Sequence, residues 1–100
     1  MTPSCAATPW PVGEAYPALI DGRKVGPRGH AVYSGWVNVA GHPGINLPAK
    51  PAADGIPVGF QLIADMRSER LLLDLARRYE AARPWGDRWP KMASSDATAI

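Results

Sequence analysis

The stretch that decides the fold is 36-WVNVAGHPGINLPAKPAADGIPVGFQLIADMRSERLLLDLARRYEAARPWGDRWP-90. It reads as strand, turn, strand, helix. Gly44 to Pro48 is a short strand bounded by prolines at 43 and 48, which suit strand ends because proline cannot donate to a ladder. Asp54-Gly55 is the strongest turn signal in the chain. Ile56 to Ala64 predicts the second strand, with Val58, Phe60 and Leu62 on one face and Gly59, Gln61 and Ile63 on the other. Both faces are largely apolar, which predicts burial on both sides. Ser68 is a good N-cap for the next element, and Glu69 suits the positive end of a helix dipole. Leu71, Leu72, Leu75, Ala76 and Tyr79 recur at helical spacing. Arg77, Arg78 and Arg83 fall near the C-terminal end, and Pro84 stops the helix by about Ala82.

Upstream, Ala31 to Ala40 predicts a short helix, because Val32, Gly35, Trp36 and Val39 share its period. Gly41 supplies a C-terminal stop and Pro43 prevents continuation. Residues 1 to 30 are expected to be extended loop. Pro3, Pro9, Pro11, Pro17 and Pro27 recur too often for a helix, and Gly13, Gly22, Gly26 and Gly29 punctuate turns, Asp21-Gly22 among them. Trp10, Tyr16, Leu19 and Ile20 lie in this segment, so it must pack on something. Residues 91 to 100 are expected to form a disordered tail.

Composition sets the outer limits. One hundred residues make one small domain or part of a larger one. The chain is 46% hydrophobic and 20% charged, with 11 Pro and 10 Gly concentrated toward the loop-rich first half. A net charge of +2, from 11 basic and 9 acidic residues, is too balanced to imply a nucleic-acid or membrane partner. Cys5 is the single cysteine, so no internal disulfide forms. Neither a signal peptide nor a run of about 20 apolar residues is visible, and a cytoplasmic protein is the default expectation.

The chain carries little that could do chemistry. Cys5 with His30 or His42 is a conceivable thiol–imidazole pair, but a plain loop cysteine is the better reading. No Gly-x-Ser-x-Gly elbow surrounds Ser4, Ser34 or Ser68. His30 and His42 lack the companions of a metal site, and neither a metal nor a cofactor is expected. Gly41-His-Pro-Gly44 is not followed by Lys-Ser or Lys-Thr, so it reads as a backbone corner and not a phosphate loop. Asp65, Asp74 and Glu80 read as surface groups. Gln61, the polar residue in an apolar strand, must hydrogen-bond if buried.

Taken in order, the motifs form a set. They are Asn38-x-x-Gly41-x-Pro43, Ile45-Asn-Leu-Pro48, Asp54-Gly55-Ile-Pro57-Val-Gly59-Phe-Gln61-Leu, Glu69-x-x-Leu72-Leu73, Tyr79-Glu80 and Pro84-Trp85. This set resembles the C-terminal end of amidase signature enzymes, and Thr2-Pro3-Ser4 looks like the family's strand-ending Thr-Pro element, which enters the same region. The resemblance covers about residues 2 to 90. It implies an α/β fold: two strands of a mixed sheet, a covering helix, and a long Pro/Gly-rich N-terminal loop. Residues 1 to 90 would then be the C-terminal part of an amidase-like domain.

Members of that family hydrolyse carboxamides to a carboxylate and ammonia, or pass the ammonia to a second substrate. They use a Ser–cis-Ser–Lys triad in a Gly- and Ser-rich signature. No Gly-Gly-Ser-Ser-Gly-like stretch occurs in this chain, and Lys24, Lys50 and Lys91 lie in no matching context. The triad therefore transfers to no residue here. The resemblance implies pocket-lining roles for Thr2, Pro3 and Ser4, and structural roles for Asn38, Gly41, Pro43, Pro48, Gly55, Pro57, Gly59 and Gln61. Three readings follow: an inert C-terminal fragment of an amidase, a non-catalytic interaction module, or the second half of a split amidase or amidotransferase subunit. In the first and third, the partner is the rest of the amidase domain, and the full-length family takes a small amide substrate.

Overall fold

The structure, a computed structural model, describes residues 1–90. The expected tail at 91–100 lies outside the described residues. In chain order the elements are β1 (Thr2–Pro3), β2 (Leu19–Ile20), β3 (Arg23–Lys24), a 3-10 turn (Gly29–Ala31), α1 (Gly35–Ala40), β4 (Gly44–Pro48), β5 (Gly59–Ile63) and α2 (Glu69–Ala82). No helix among the described residues is long and apolar enough to cross a membrane.

The centre is a three-stranded sheet in the order β1-β5-β4, and both pairings are antiparallel. The expected pair is therefore joined by a third strand at Thr2–Pro3, where residue patterns predict loop and the family resemblance implies the end of a strand. Thr2 sits opposite Gln61 and Pro3 opposite Phe60. On the far edge, Ile45 pairs with Leu62, Asn46 with Gln61 and Leu47 with Phe60. β4 occupies the predicted residues. β5 begins three residues later than predicted, because the preceding loop already uses its own polar groups. The Ile56 N–H donates to Asp54 Oδ1 at 3.1 Å, the Ile56 carbonyl accepts from Ala52 at 3.0 Å, and Pro57 has no N–H to offer. Gly55 closes this turn at φ 85°, a conformation that costs a side-chain-bearing residue.

Two further expectations need correction. Residues 1–30 are not wholly loop: Leu19 pairs with Lys24 and Ile20 with Arg23 in a small hairpin. Asp21 at φ 51° and Gly22 at φ 74° give both central residues the positive φ of a type I′ turn, whose twist matches paired strands. The helix expected over 31–40 is divided, with the 3-10 turn ending at Ala31 and α1 beginning at Gly35. Its predicted stop holds: Gly41 takes φ 77° and donates to the Val37 carbonyl at 3.0 Å.

The sheet's two faces are covered by different elements. α2 lies over the Phe60–Leu62 side. There Leu72 and Leu47 are buried, and the Phe60 and Tyr79 rings meet edge to face at 5.2 Å, a contact worth about 0.5–1.5 kcal/mol beyond area. Tyr79 donates its hydroxyl to the Pro48 carbonyl at 2.6 Å, and Arg88 donates to the Ala49 carbonyl at 3.1 Å. Ser68 stands at the N-cap position without acting as a side-chain cap. Its ψ of 28° departs from the extended backbone that aims a cap hydroxyl at the second or third amide.

The opposite face carries Gln61 under α1 and Tyr33, with Val37 buried beside Gly44. Burial on both faces of β5 is partial. Phe60, Leu62 and Ile63 are half-buried, and the residue sunk deepest is the polar Gln61, 4% exposed. The cause is the shortage of layers. Among the described residues the large buried apolar side chains are Val37, Leu47 and Leu72, while fourteen large hydrophobics stand exposed.

Candidate functional site

A solvent-open groove of about 560 Å³ separates the lead-in segment Pro3–Pro9 from the loop that runs from Ala52 to Gly59. Its walls are mostly small and apolar, with Ala6, Pro9, Ile56 and Pro57 among them, and Asp54, Ser4, Cys5 and Thr8 supply the polar side chains. Sheet register builds this groove. Thr2 and Ser4, two residues apart, share a face of β1 and its continuation, and the Ser4 N–H donates to the Gly59 carbonyl at 3.3 Å. Gly59 makes the approach possible. A Cβ there would lie 3.0 Å from Ser4 Oγ and 3.3 Å from the Leu47 carbonyl oxygen.

A polar network ties the lead-in strand to the sheet. Gln61 Nε2 donates to the Tyr33 carbonyl at 2.8 Å and to Thr2 Oγ1 at 3.1 Å. Thr2 Oγ1 in turn donates to the Pro3 carbonyl at 3.0 Å. Ser4 Oγ donates to Asn46 Oδ1 at 2.7 Å. Gln61 is thus a satisfied core amide, which is what its burial requires.

The geometry brings some of the named residues together and separates others. Thr2, Pro3, Ser4, Gly59 and Gln61 converge at the sheet's β1 end, and Pro57 lines the groove. Gly41 and Gly55 serve their turns through positive φ. Pro43 and Pro48 contribute carbonyls, to the Ala64 N–H at 3.1 Å and to the Tyr79 hydroxyl. Asn38 stands exposed on α1, away from the groove. Asn46 and Tyr33 were missed by the sequence reading. The signal for Asn46 was present, since strand alternation places it on the Gln61 face once β4 and β5 pair. Tyr33 acts through its backbone carbonyl, which no side-chain pattern announces.

The chemistry open to this arrangement is binding and shaping. The Ser4 hydroxyl gives its hydrogen to a carboxamide oxygen, a group that takes no proton near neutral pH. The Cys5 thiol donates to the His30 carbonyl at 3.3 Å, not to an imidazole. His30 faces Trp10, ring centroids 4.9 Å apart, and its Nδ1 has no partner among the described residues. His42 Nδ1 engages the Ala64 carbonyl at 3.1 Å. Neither thiol nor hydroxyl therefore stands on a base. Among the described residues, no three His, Cys, Asp or Glu side chains gather where a metal ion could be held.

Curated relatives share this segment. The amidase named AmiC of Mycobacterium tuberculosis is 52% identical over 58 residues, covering 52% of this chain. A glutamyl-tRNA(Gln) amidotransferase polypeptide of Cyanothece is 45% identical over 56 residues, 56% of this chain. The acylamidase of Rhodococcus erythropolis is 32% identical over 95 residues, 90% of this chain. The chain belongs to the amidase signature family. It spans 12% of the length of the first two relatives and 19% of the third. No family model and no solved structure matches the chain. As a member of the amidase signature family it presents a sheet, a covering helix and a groove wall, without the family's Gly- and Ser-rich signature.

Proposed function

We propose that this chain is the C-terminal part of an amidase signature hydrolase and is catalytically inert alone. In the assembled domain the reaction is cleavage of a carboxamide C–N bond, with water supplying the hydroxyl of the carboxylic acid and a proton to the departing ammonia. The observation that carries the reading is a contrast within the sequence. Residues 38–85 hold the family's ordered motif set, while no Gly-Gly-Ser-Ser-Gly stretch accompanies it. β1, β5 and β4 would complete the sheet edge, and the segment 3–9 with the 52–59 loop would form one wall of the amide pocket. The small, apolar lining of that groove supports an uncharged acyl group lying along it.

The test has two arms. The purified chain is incubated with simple carboxamides and ammonia is measured, with none expected above the blank; serine-dependent release would overturn inertness. The second arm is a chimera, the Rhodococcus erythropolis acylamidase with its matched segment replaced by this chain. Turnover by the chimera is the expected result. A chimera that melts cooperatively yet releases no ammonia would sink the assignment to an amidase domain and leave a non-catalytic interaction module in its place. Turnover regained when the two pieces are mixed as separate chains would favour a split subunit.

A further inference from the structure

The run from Gly29 to Ala49 contains no Asp, Glu, Lys or Arg in 21 residues. α1 lies inside it. Val37 is the one residue of this helix that the chain itself buries. Val39 is 90% exposed and Trp36 49%, three residues apart and so on one side of the helix. Val32, in the turn between the 3-10 segment and α1, is 55% exposed. A tryptophan and a valine on a charge-free helix, with a further valine in the turn before it, are an unusual surface for water. Cores of protein interfaces have this composition, depleted in charge and enriched in aromatics, and tryptophan is a common anchor within them.

The competing patch is on α2, where Leu71 is 55% exposed and Leu75 also stands out. Its setting differs. Glu69, Arg70, Asp74, Arg77, Arg78 and Glu80 occupy the same 14-residue helix, and Asp74 and Arg77 form a surface ion pair at 4.0 Å. That helix has a charged face, and α1 carries no charged residue.

We infer that the Trp36–Val39 side of α1, with Val32 in the turn before it, is the seam on which the remaining, signature-bearing portion of an amidase domain docks. This rests on the proposed function. The occupant follows from length, because the relatives carry more than four-fifths of their residues outside the matched segment, and from position. α2 already closes the Phe60 face of the sheet, whereas the Gln61 face is closed only by α1 and the Tyr33 turn. A further layer beyond α1 would cover the exposed Trp36 and Val39, and an apolar, weakly charged surface on the signature-bearing portion fits it.

The experiment uses the acylamidase chimera with Val39→Asp, Trp36→Ala or Leu71→Asp, reading both its melting temperature and its ammonia release. The isolated chain carrying the same changes serves as the folding control. The expected result is that Val39→Asp and Trp36→Ala lower the chimera's melting temperature and cut turnover at least tenfold. Leu71→Asp stays within twofold, and the isolated chain's circular dichroism is unchanged by Val39→Asp. A Val39→Asp chimera as stable and active as the parent would overturn the seam, as would Leu71→Asp proving the damaging change. Should the chimera fold without turnover, the melting contrast still decides the seam while the functional reading fails separately. Sedimentation of the isolated chain closes the last alternative: a dimer abolished by Val39→Asp would assign the stripe to a second copy and overturn the proposed occupant.

Discussion

Gln61 donates through Nε2 to the Tyr33 carbonyl at 2.8 Å, a bond that spans 28 residues of chain. The same nitrogen holds Thr2 Oγ1, so one buried carboxamide fastens both the lead-in strand and the turn before α1 to the sheet. Gln61→Leu keeps much of the side-chain volume and removes both bonds, leaving the Tyr33 carbonyl and the Thr2 hydroxyl short of a donor. An unsatisfied buried polar group costs about 1–3 kcal/mol. Urea denaturation should show a loss of that size, and hydrogen exchange should show the Ser4 amide losing protection as β1 detaches. Unchanged protection at Ser4 would mean that β1 is held by its backbone ladder alone.

Gly59 is the position where sheet and lead-in segment come closest. Gly59→Ala puts a methyl group 3.0 Å from Ser4 Oγ and 3.3 Å from the Leu47 carbonyl oxygen. The serine can rotate away only by giving up Asn46, and the carbonyl belongs to the ladder. The expected cost is about 1–3 kcal/mol from overpacking, with the groove narrowed at its Ser4 end. Gly13→Ala is the control, since nothing lies within 4 Å of its Cβ position; it should move the urea midpoint by no more than about 0.5 kcal/mol equivalent.

Much of this was legible in the chain. Gly44–Pro48, the Gly41 stop and the Glu69–Ala82 helix lie where local signals put them, because each is set by a short-range rule: proline at a strand end, glycine at positive φ, apolar residues at helical spacing. β1 was not legible. Two residues, Thr2 and Pro3, carry no periodicity, and their strand exists only because β5 supplies the ladder and Gln61 the anchor. The Asp21-Gly22 turn was visible, but the two-residue strands beside it are too short to register as a pattern. A polar residue in an apolar strand marks Gln61 as needing a partner; that its partners are Tyr33 and Thr2 depends on tertiary placement. The groove was unreadable for the same reason, since its two walls are about 50 residues apart in sequence.

Tyr79 joins α2 to the sheet twice, by its ring against Phe60 and by its hydroxyl to the Pro48 carbonyl at 2.6 Å. Tyr79→Phe removes only the second link. The expected loss is about 0.5–1.5 kcal/mol, with the aromatic contact preserved and near-ultraviolet circular dichroism little altered. Tyr79→Ala removes both links, also strips the neighbouring Trp85 ring of its partner at 5.8 Å, and should cost more. If the two variants proved equally stable, the ring would contribute nothing and the hydroxyl would carry the whole attachment.

Ser4 is the serine on the groove wall and therefore the tempting nucleophile. Its geometry argues otherwise. The hydrogen points at Asn46 Oδ1, 2.7 Å away, and an amide oxygen cannot remove it to leave an alkoxide. Loss of a true serine nucleophile costs on the order of 10⁶-fold in turnover, whereas loss of one hydrogen bond at a pocket wall costs about tenfold. Ser4→Ala, placed in the acylamidase chimera, should accordingly reduce ammonia release by about tenfold or less. Cys5→Ala should do no more, because its thiol is bonded to a backbone carbonyl. Measured kcat would decide the point. A fall of several thousandfold for Ser4→Ala, with the melting temperature unchanged, would move Ser4 from the pocket wall into the catalytic machinery and overturn the view that this chain only shapes a site built elsewhere.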